Sequence, residues 1–308
     1  MKQRNRICIV TGGANGIGRC IVETFAREGA RVAFIDTDAI HGQALADLLT
    51  AGGSEVFFMS GDIGDARILE SFVCAVVRRW GGADVLVNNA CLSRRGLLSG
   101  CGADEFNEVL RVGVTAPYLL ASLLRPHFHP GAAIVNIGST RAFMSQADTE
   151  SYSAAKGGIT ALTHALAASL AHRVRVNAVH PGWIDTSAWQ GMPVRLGGNP
   201  VPAPESHANT EGRSIAGSRS IPVSRSATEE ACEPEATAAS GFSPADLAQH
   251  AANRVGTPGD IARAVLFLAD GANSFITGQS LTVDGGMSRQ MIYHGDEGWT
   301  YVPTEFTP

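Results

Sequence analysis

Ile7-Cys8-Ile9-Val10-Thr11-Gly12-Gly13-Ala14-Asn15-Gly16-Ile17-Gly18 runs from a short apolar stretch through four glycines into a second apolar pattern. Ile7–Val10 has the composition of a parallel strand buried on both faces, and Ile17, Ile21, Val22 and Phe25 recur at helical spacing between Ile17 and Glu28. The glycines therefore lie between a strand and a helix. Gly12 is placed to take backbone angles closed to other residues, while Gly16 and Gly18 let a pyrophosphate and the neighbouring strand approach the helix start. Free N–H groups and the positive helix end bind the phosphates. Such a glycine pattern also serves turns that bind nothing, so its weight depends on the residues downstream of it.

The next apolar run, Arg31–Ile35, ends in Asp36, where a dinucleotide fold sets a carboxylate against the adenine ribose hydroxyls. An anion there repels a 2′-phosphate. Asn15 is neutral and Thr37-Asp38 adds no cation, so NAD is expected rather than NADP. Asp36 as a plain solvated strand end is the alternative.

Strand-like runs at Val32–Ile35, Glu55–Met59, Val85–Val87, Ala133–Ile137 and Val174–Val179 alternate with helical stretches near 39–52, 65–80, 103–125 and 151–172. A last helix, Pro258–Ala269, and a last strand, Ser280–Val283, precede Asp284-Gly285-Gly286. Alternation of this kind predicts an α/β chain with a single doubly wound parallel sheet, a Rossmann fold with helices on both faces, in one domain over 1–308. The stretch from about 191 to 243 does not fit. It is rich in Gly, Pro, Ser, Ala, Thr and Glu without a sustained period, and reads as a disordered loop insertion with at most short helical pieces near Ala227–Ala239.

Ser139, Tyr152 and Lys156 carry the chemistry. Tyr152 and Lys156 are four apart at the start of a helical stretch and share one face. An ammonium beside a phenol favours its charged form, which lets a tyrosine exchange a proton with an alcohol or ketone. Ser139 follows the strand Ala133–Ile137, at the carboxyl end where open α/β sheets build their sites, and its hydroxyl can hold a substrate oxygen. Each alone has an ordinary reading as core tyrosine, solvated lysine or turn cap. Together, behind a dinucleotide turn, they predict hydride transfer.

Composition narrows the field. The 308 residues are 44% hydrophobic with net charge −5 and interspersed signs, which argues against nucleic acid and anionic membranes as partners. No run has signal or transmembrane character, so a cytoplasmic location is expected. Six cysteines and nine histidines are scattered without ligand spacing, so reduced thiols and no metal are expected.

Thr11-Gly-Gly-Ala-Asn-Gly-Ile-Gly18, Asp62-Ile63, Asn88-Asn89-Ala90, Ser139, Tyr152-Ser-Ala-Ala-Lys156, Asn177 and Pro181-Gly182 together resemble the short-chain dehydrogenase/reductase family over 6–187 and 254–287. The resemblance implies an NAD(H)-dependent enzyme acting on a CH–OH group. Tyr152 is then the acid/base, Ser139 the ligand of the substrate oxygen, and Lys156 the clamp on the nicotinamide ribose. It also implies that Asp62 and Ile63 meet the adenine and Asn89 and Ala90 the adenosine ribose, while Pro181, Gly182, Ile184 and Thr186 line the nicotinamide. Homodimers or homotetramers are implied through the long helices near 103–125 and 151–172. Two positions depart from the family pattern. Cys91 replaces the glycine after Asn-Asn-Ala and is expected to pack as a small apolar group. Gly113 stands where the family places an asparagine in its proton relay, which implies slower turnover.

A small alcohol or ketone is the expected substrate. Arg94, Arg95 or Arg141 in the mouth would suit a carboxylate or polyhydroxyl, and Trp183 and Trp189 a flat apolar ring. The aromatic tail, 288–308, is expected to dock on its own or a neighbouring subunit. Two alternatives remain on the same fold: an NAD-binding sensor with little turnover, motivated by Gly113 and the insertion, and an epimerase.

Overall fold

The structure, a computed structural model, describes residues 3–189 and 242–290. Helical pieces expected near 227–239 and the docking of the tail beyond 290 lie outside the described residues. Along the chain stand β1 (Ile7–Thr11), α1 (Gly16–Arg27), β2 (Arg31–Asp36), α2 (Ala39–Ala51), β3 (Val56–Ser60), α3 (Ala66–Trp80) and β4 (Ala83–Asn88). There follow α4 (Ala103–Leu110), α5 (Ala116–Leu124), β5 (Phe128–Ile137), α6 (Glu150–Ser169), β6 (Val174–Pro181), α7 (Pro244–Ala248), α8 (Pro258–Ala269) and β7 (Ser280–Val283). The strands form one parallel sheet of seven in the order β3-β2-β1-β4-β5-β6-β7. Strand order reverses between β1 and β4, and that switch point opens a crevice at the carboxyl ends of the strands.

The period of two along each strand divides the core between the faces of the sheet. Cys8, Val10, Val85 and Val87 pack with Phe25, Leu45, Ile261 and Val265 from α1, α2 and α8. Ile7, Ile9 and Leu86 pack with Phe72, Leu120, Leu124 and Leu166 from α3, α5 and α6. Phe25, Phe34 and Phe72 are wholly buried, each contributing about 1.5–3 kcal/mol. α8 starts on a capping box: the Thr257 N–H donates to Asp260 at 2.8 Å, with Pro258 in the first turn.

Three boundaries differ from the sequence expectation. The helix expected over 103–125 is broken by a π turn at Arg111–Thr115, which has Gly113 at its centre. There a Cβ on Gly113 would come to 3.0 Å from the Ala155 Cβ, and one on Gly158 to 2.9 Å from Val114, so close packing on α6 shapes the turn. β5 begins five residues before Ala133 because Phe128 pairs with Ala83 ahead of the exposed Pro130 and Gly131, residues that normally speak against a strand. Finally, α7 follows directly on the expected insertion, with Ser243 and Asp246 as a reciprocal cap. No described helix is long and apolar enough to cross a membrane.

Candidate active site

The glycine turn is built by close approach. Gly12 and Gly16 have φ of +65° and +56°, where side chains are strained, and a Cβ on Gly18 would lie 1.9 Å from the Gly12 carbonyl oxygen. β4 clamps the turn from behind. Thr11 Oγ1 accepts from the Asn89 and Ala90 N–H groups at 3.0 and 3.1 Å, while the Asn89 amide donates to the Thr11 and Gly12 carbonyls at 3.0 and 2.9 Å. Asp36 closes the other side, its carboxylate accepting from Ala14 N at 2.9 Å and Asp38 N at 3.0 Å.

Asn15 does not cap α1; its amide turns to Asp38 at 2.9 Å, and the first turn of α1 carries no acidic residue. The start of the helix is thus left for an anion. Burial works against the charge on Asp38, but hydrogen bonds from the His41 N–H, the Asn15 amide and the His41 ring outweigh it and hold the carboxyl down to about 2. Two carboxylates therefore stand at and just beyond the end of β2.

A cleft of about 460 Å³ runs over this turn, lined by Gly12, Asn15, Gly16, Ile17, Gly18 and Asp36 together with Asp62, Ile63, Asn89, Ala90 and Thr186. It meets a larger cavity of about 1060 Å³ at Ile17, Asn89, Cys91 and Thr186. That cavity brings together Ser139, Tyr152 and Lys156 with Pro181, Gly182 and Ile184. Each residue named from the sequence for catalysis or cofactor binding thus lines one of two adjoining spaces. The Cβ-free cradle and the uncapped helix start fit the pyrophosphate of a nicotinamide dinucleotide.

Ser139 N-caps the short turn Thr140–Ala142, its Oγ accepting from the Arg141 N–H at 3.2 Å. Its own hydroxyl proton stays available for a substrate oxygen. Lys156 is 4% exposed; its Nζ donates to the Ile137 carbonyl at 2.8 Å and lies 5.4 Å from the centre of the Tyr152 ring. The end of β5 thereby holds both the serine and, through one carbonyl, the lysine.

His180 is a residue the sequence reading missed. Buried in β6, it sets Nδ1 within hydrogen-bond distance of both the Ser139 carbonyl oxygen, at 2.9 Å, and the Ser139 backbone N–H, at 3.2 Å, and its ring packs 4.8 Å from that of Phe143. Burial pushes its pKa below the ordinary imidazole value; the hydrogen bond to the Ser139 backbone opposes this and the Lys156 charge adds to the lowering. Its link to Ser139 spans 41 residues and has no local signal.

Among known families, the short chain dehydrogenase model matches residues 6–194 and the enoyl-(acyl carrier protein) reductase model matches 219–288. The chain belongs to the short-chain dehydrogenase/reductase family. An uncharacterized oxidoreductase of Thermotoga maritima is 36% identical over 292 residues, 94% of this chain and 98% of that protein. The apo SCOR enzyme from Clostridium thermocellum superposes with a TM-score of 0.74 at 38% identity, covering 97% of this chain and all of that one. A blue fluorescent protein from a metagenomic library, solved with NADPH, superposes at 0.72 with 27% identity, over 94% of this chain and 100% of that chain.

As a short-chain dehydrogenase/reductase, the chain corrects several expectations. Cys91 does not pack: it is exposed at the junction of the two spaces, because the chain leaves the sheet there. Arg94 and Arg95 turn away to Glu108 and Glu105 at 2.9 and 3.7 Å, and only Arg141 of the three arginines lines the cavity. Trp183 lines it, edge-on to Phe242 at 5.4 Å, whereas Trp189 packs on the core. Gln146, Met144, Gln249 on the end of α7, Met287 and Gln290 also line the cavity and were not anticipated. Ser243-Pro244-Ala245-Asp246, a capping-box pattern, was the one local sign that α7 existed.

Proposed function

We propose that this enzyme is an NAD-dependent oxidoreductase that interconverts a secondary alcohol and a ketone. The observation that carries the reading is the convergence of Ser139, Tyr152 and Lys156 on one cavity that opens into the glycine-turn cleft. Bound in the smaller cleft, NAD supplies the acceptor or donor of hydride. The Ser139 hydroxyl donates to the substrate oxygen and sets its position. The Tyr152 hydroxyl takes the alcohol proton, or returns one to the ketone oxygen, and the buried Lys156 ammonium beside it stabilises the phenolate while a proton is in transit. No side chain at Gly113 extends the relay behind Lys156. Asp36 and Asp38 support NAD over NADP, a homodimer or homotetramer is the proposed assembly, and the cytoplasm the proposed location.

The test is nicotinamide absorbance with NAD and separately with NADP, over sugar alcohols, hydroxy acids, hydroxysteroids and simple secondary alcohols, for wild type and Tyr152→Phe. The expected result is NAD-dependent turnover that falls about 10²–10⁴-fold in the variant. Tight NAD binding without net redox change on the whole panel would return the sensor or epimerase reading.

A further inference from the structure

Charge is out of balance in the larger cavity. Its described lining holds no Asp, Glu or His, yet two cations, Lys156 and Arg141, face it. Lys156 donates to the Ile137 carbonyl within the catalytic group. Arg141 has no such employment. Its guanidinium lies 5.9 Å from the centre of the Tyr152 ring, and its side-chain hydrogen bond goes to the neutral carbonyl oxygen of Gln146. Nearby Arg94 and Arg95 each meet a glutamate instead. In a chain of net charge −5, a cavity lined with a guanidinium and without carboxylates is arranged for a ligand that brings its own negative charge.

The position of Arg141 is also tied to the reacting group. Its backbone N–H donates to Ser139 Oγ at 3.2 Å within the Thr140–Ala142 turn. The backbone of Arg141 is therefore tied to the hydroxyl that would hold the substrate oxygen, and its guanidinium keeps N–H donors beyond the one given to Gln146. We infer that Arg141 is a specificity residue that binds the carboxylate of a short hydroxy acid, or of the matching oxo acid, whose carbinol or carbonyl lies between Ser139 and Tyr152. With the guanidinium 5.9 Å from the centre of the Tyr152 ring, a short acid is the size that would span the two. The inference rests on the oxidoreductase reading and names its substrate class.

The experiment compares full-length wild type, Arg141→Met and Arg141→Lys on sodium lactate and sodium 3-hydroxybutyrate against the neutral lactamide and 3-hydroxybutyramide. NADH absorbance reads turnover, and calorimetric titration of the NADH-loaded protein with the same compounds reads binding without turnover. The expected result is an acid-to-amide ratio of kcat/KM above one that falls about 10–100-fold in Arg141→Met, mainly through KM, as one lost charge-assisted contact predicts. Arg141→Lys retains part of the preference. Taking the acid-to-amide ratio cancels any effect of the substitution on Tyr152 itself. Turnover of neutral alcohols or amides with a ratio indifferent to Arg141 overturns the inference and leaves the oxidoreductase reading standing. Arg141-dependent binding of the acids without turnover supports the anion subsite and counts against the reading of the reaction. Failure of the wild type to bind or turn over either acid overturns the inference.

Discussion

Replacing Gly18 by alanine places a Cβ 1.9 Å from the Gly12 carbonyl oxygen and 2.5 Å from the Asn89 amide nitrogen. The first distance is about 1.5 Å short of ordinary contact, and the obstacle is backbone, which cannot swing aside as a side chain would. Relief requires the turn to open away from α1. That movement strains the 2.9 Å bond from Asn89 to the Gly12 carbonyl, so overpacking and the weakened bond together cost about 2–4 kcal/mol. The shift also carries the phosphate-binding N–H groups with it, so NAD affinity falls about tenfold or more. Gly157→Ala is the matched control. It lies within α6, where an added Cβ meets nothing within 4 Å, and gains about 0.5–1 kcal/mol of helix stability. Urea unfolding and calorimetric titration with NAD measure both effects. A Gly18→Ala protein with wild-type midpoint and wild-type NAD affinity refutes the reasoning.

Arg175→Met removes a guanidinium, 9% exposed on β6, that donates to the carbonyls of Leu268, Ala269 and Asp270 at 2.7, 3.3 and 3.1 Å. With the end of α8 left unsatisfied, the loss expected in urea unfolding is about 2–4 kcal/mol; a loss inside experimental error would show that water replaces the arginine. Asp38 has a carboxyl depressed from 3.8 to about 2, so it contributes stability above the unfolded value that is lost as pH falls through the folded one. Asp38→Asn is expected to flatten the decline of the unfolding midpoint between those two values, and a curve parallel to wild type would show that Asp38 has no part in it.

Much of the site was legible because it is local. A strand, a glycine turn and a helix in succession are written in one stretch of chain, and Tyr152 and Lys156 share a face by helix spacing alone. The strand ends also placed Ser139 and Asp36 at the carboxyl edge of the sheet. The π turn was not legible: Val112 and Val114 suit an ordinary helix, and what shapes Arg111–Thr115 is close packing of Gly113 and Val114 against Ala155 and Gly158 on α6. The behaviour of Cys91 depended likewise on where the chain left the sheet.

By itself the sequence determined the order of elements, the family, the cofactor turn and the three residues proposed for proton and hydride chemistry, since each is written within a strand, a helix or the join between them. Only the tertiary structure decided which of three arginines lines the larger cavity. Arg94, Arg95 and Arg141 look alike along the chain, but α4 offers Glu108 and Glu105 to the first two, whereas the turn after β5 sets Arg141 near the Tyr152 ring, its side chain donating to the neutral Gln146 among the described residues. The charge of a cavity is a sum over side chains that the fold gathers from distant segments, and no local pattern encodes that sum.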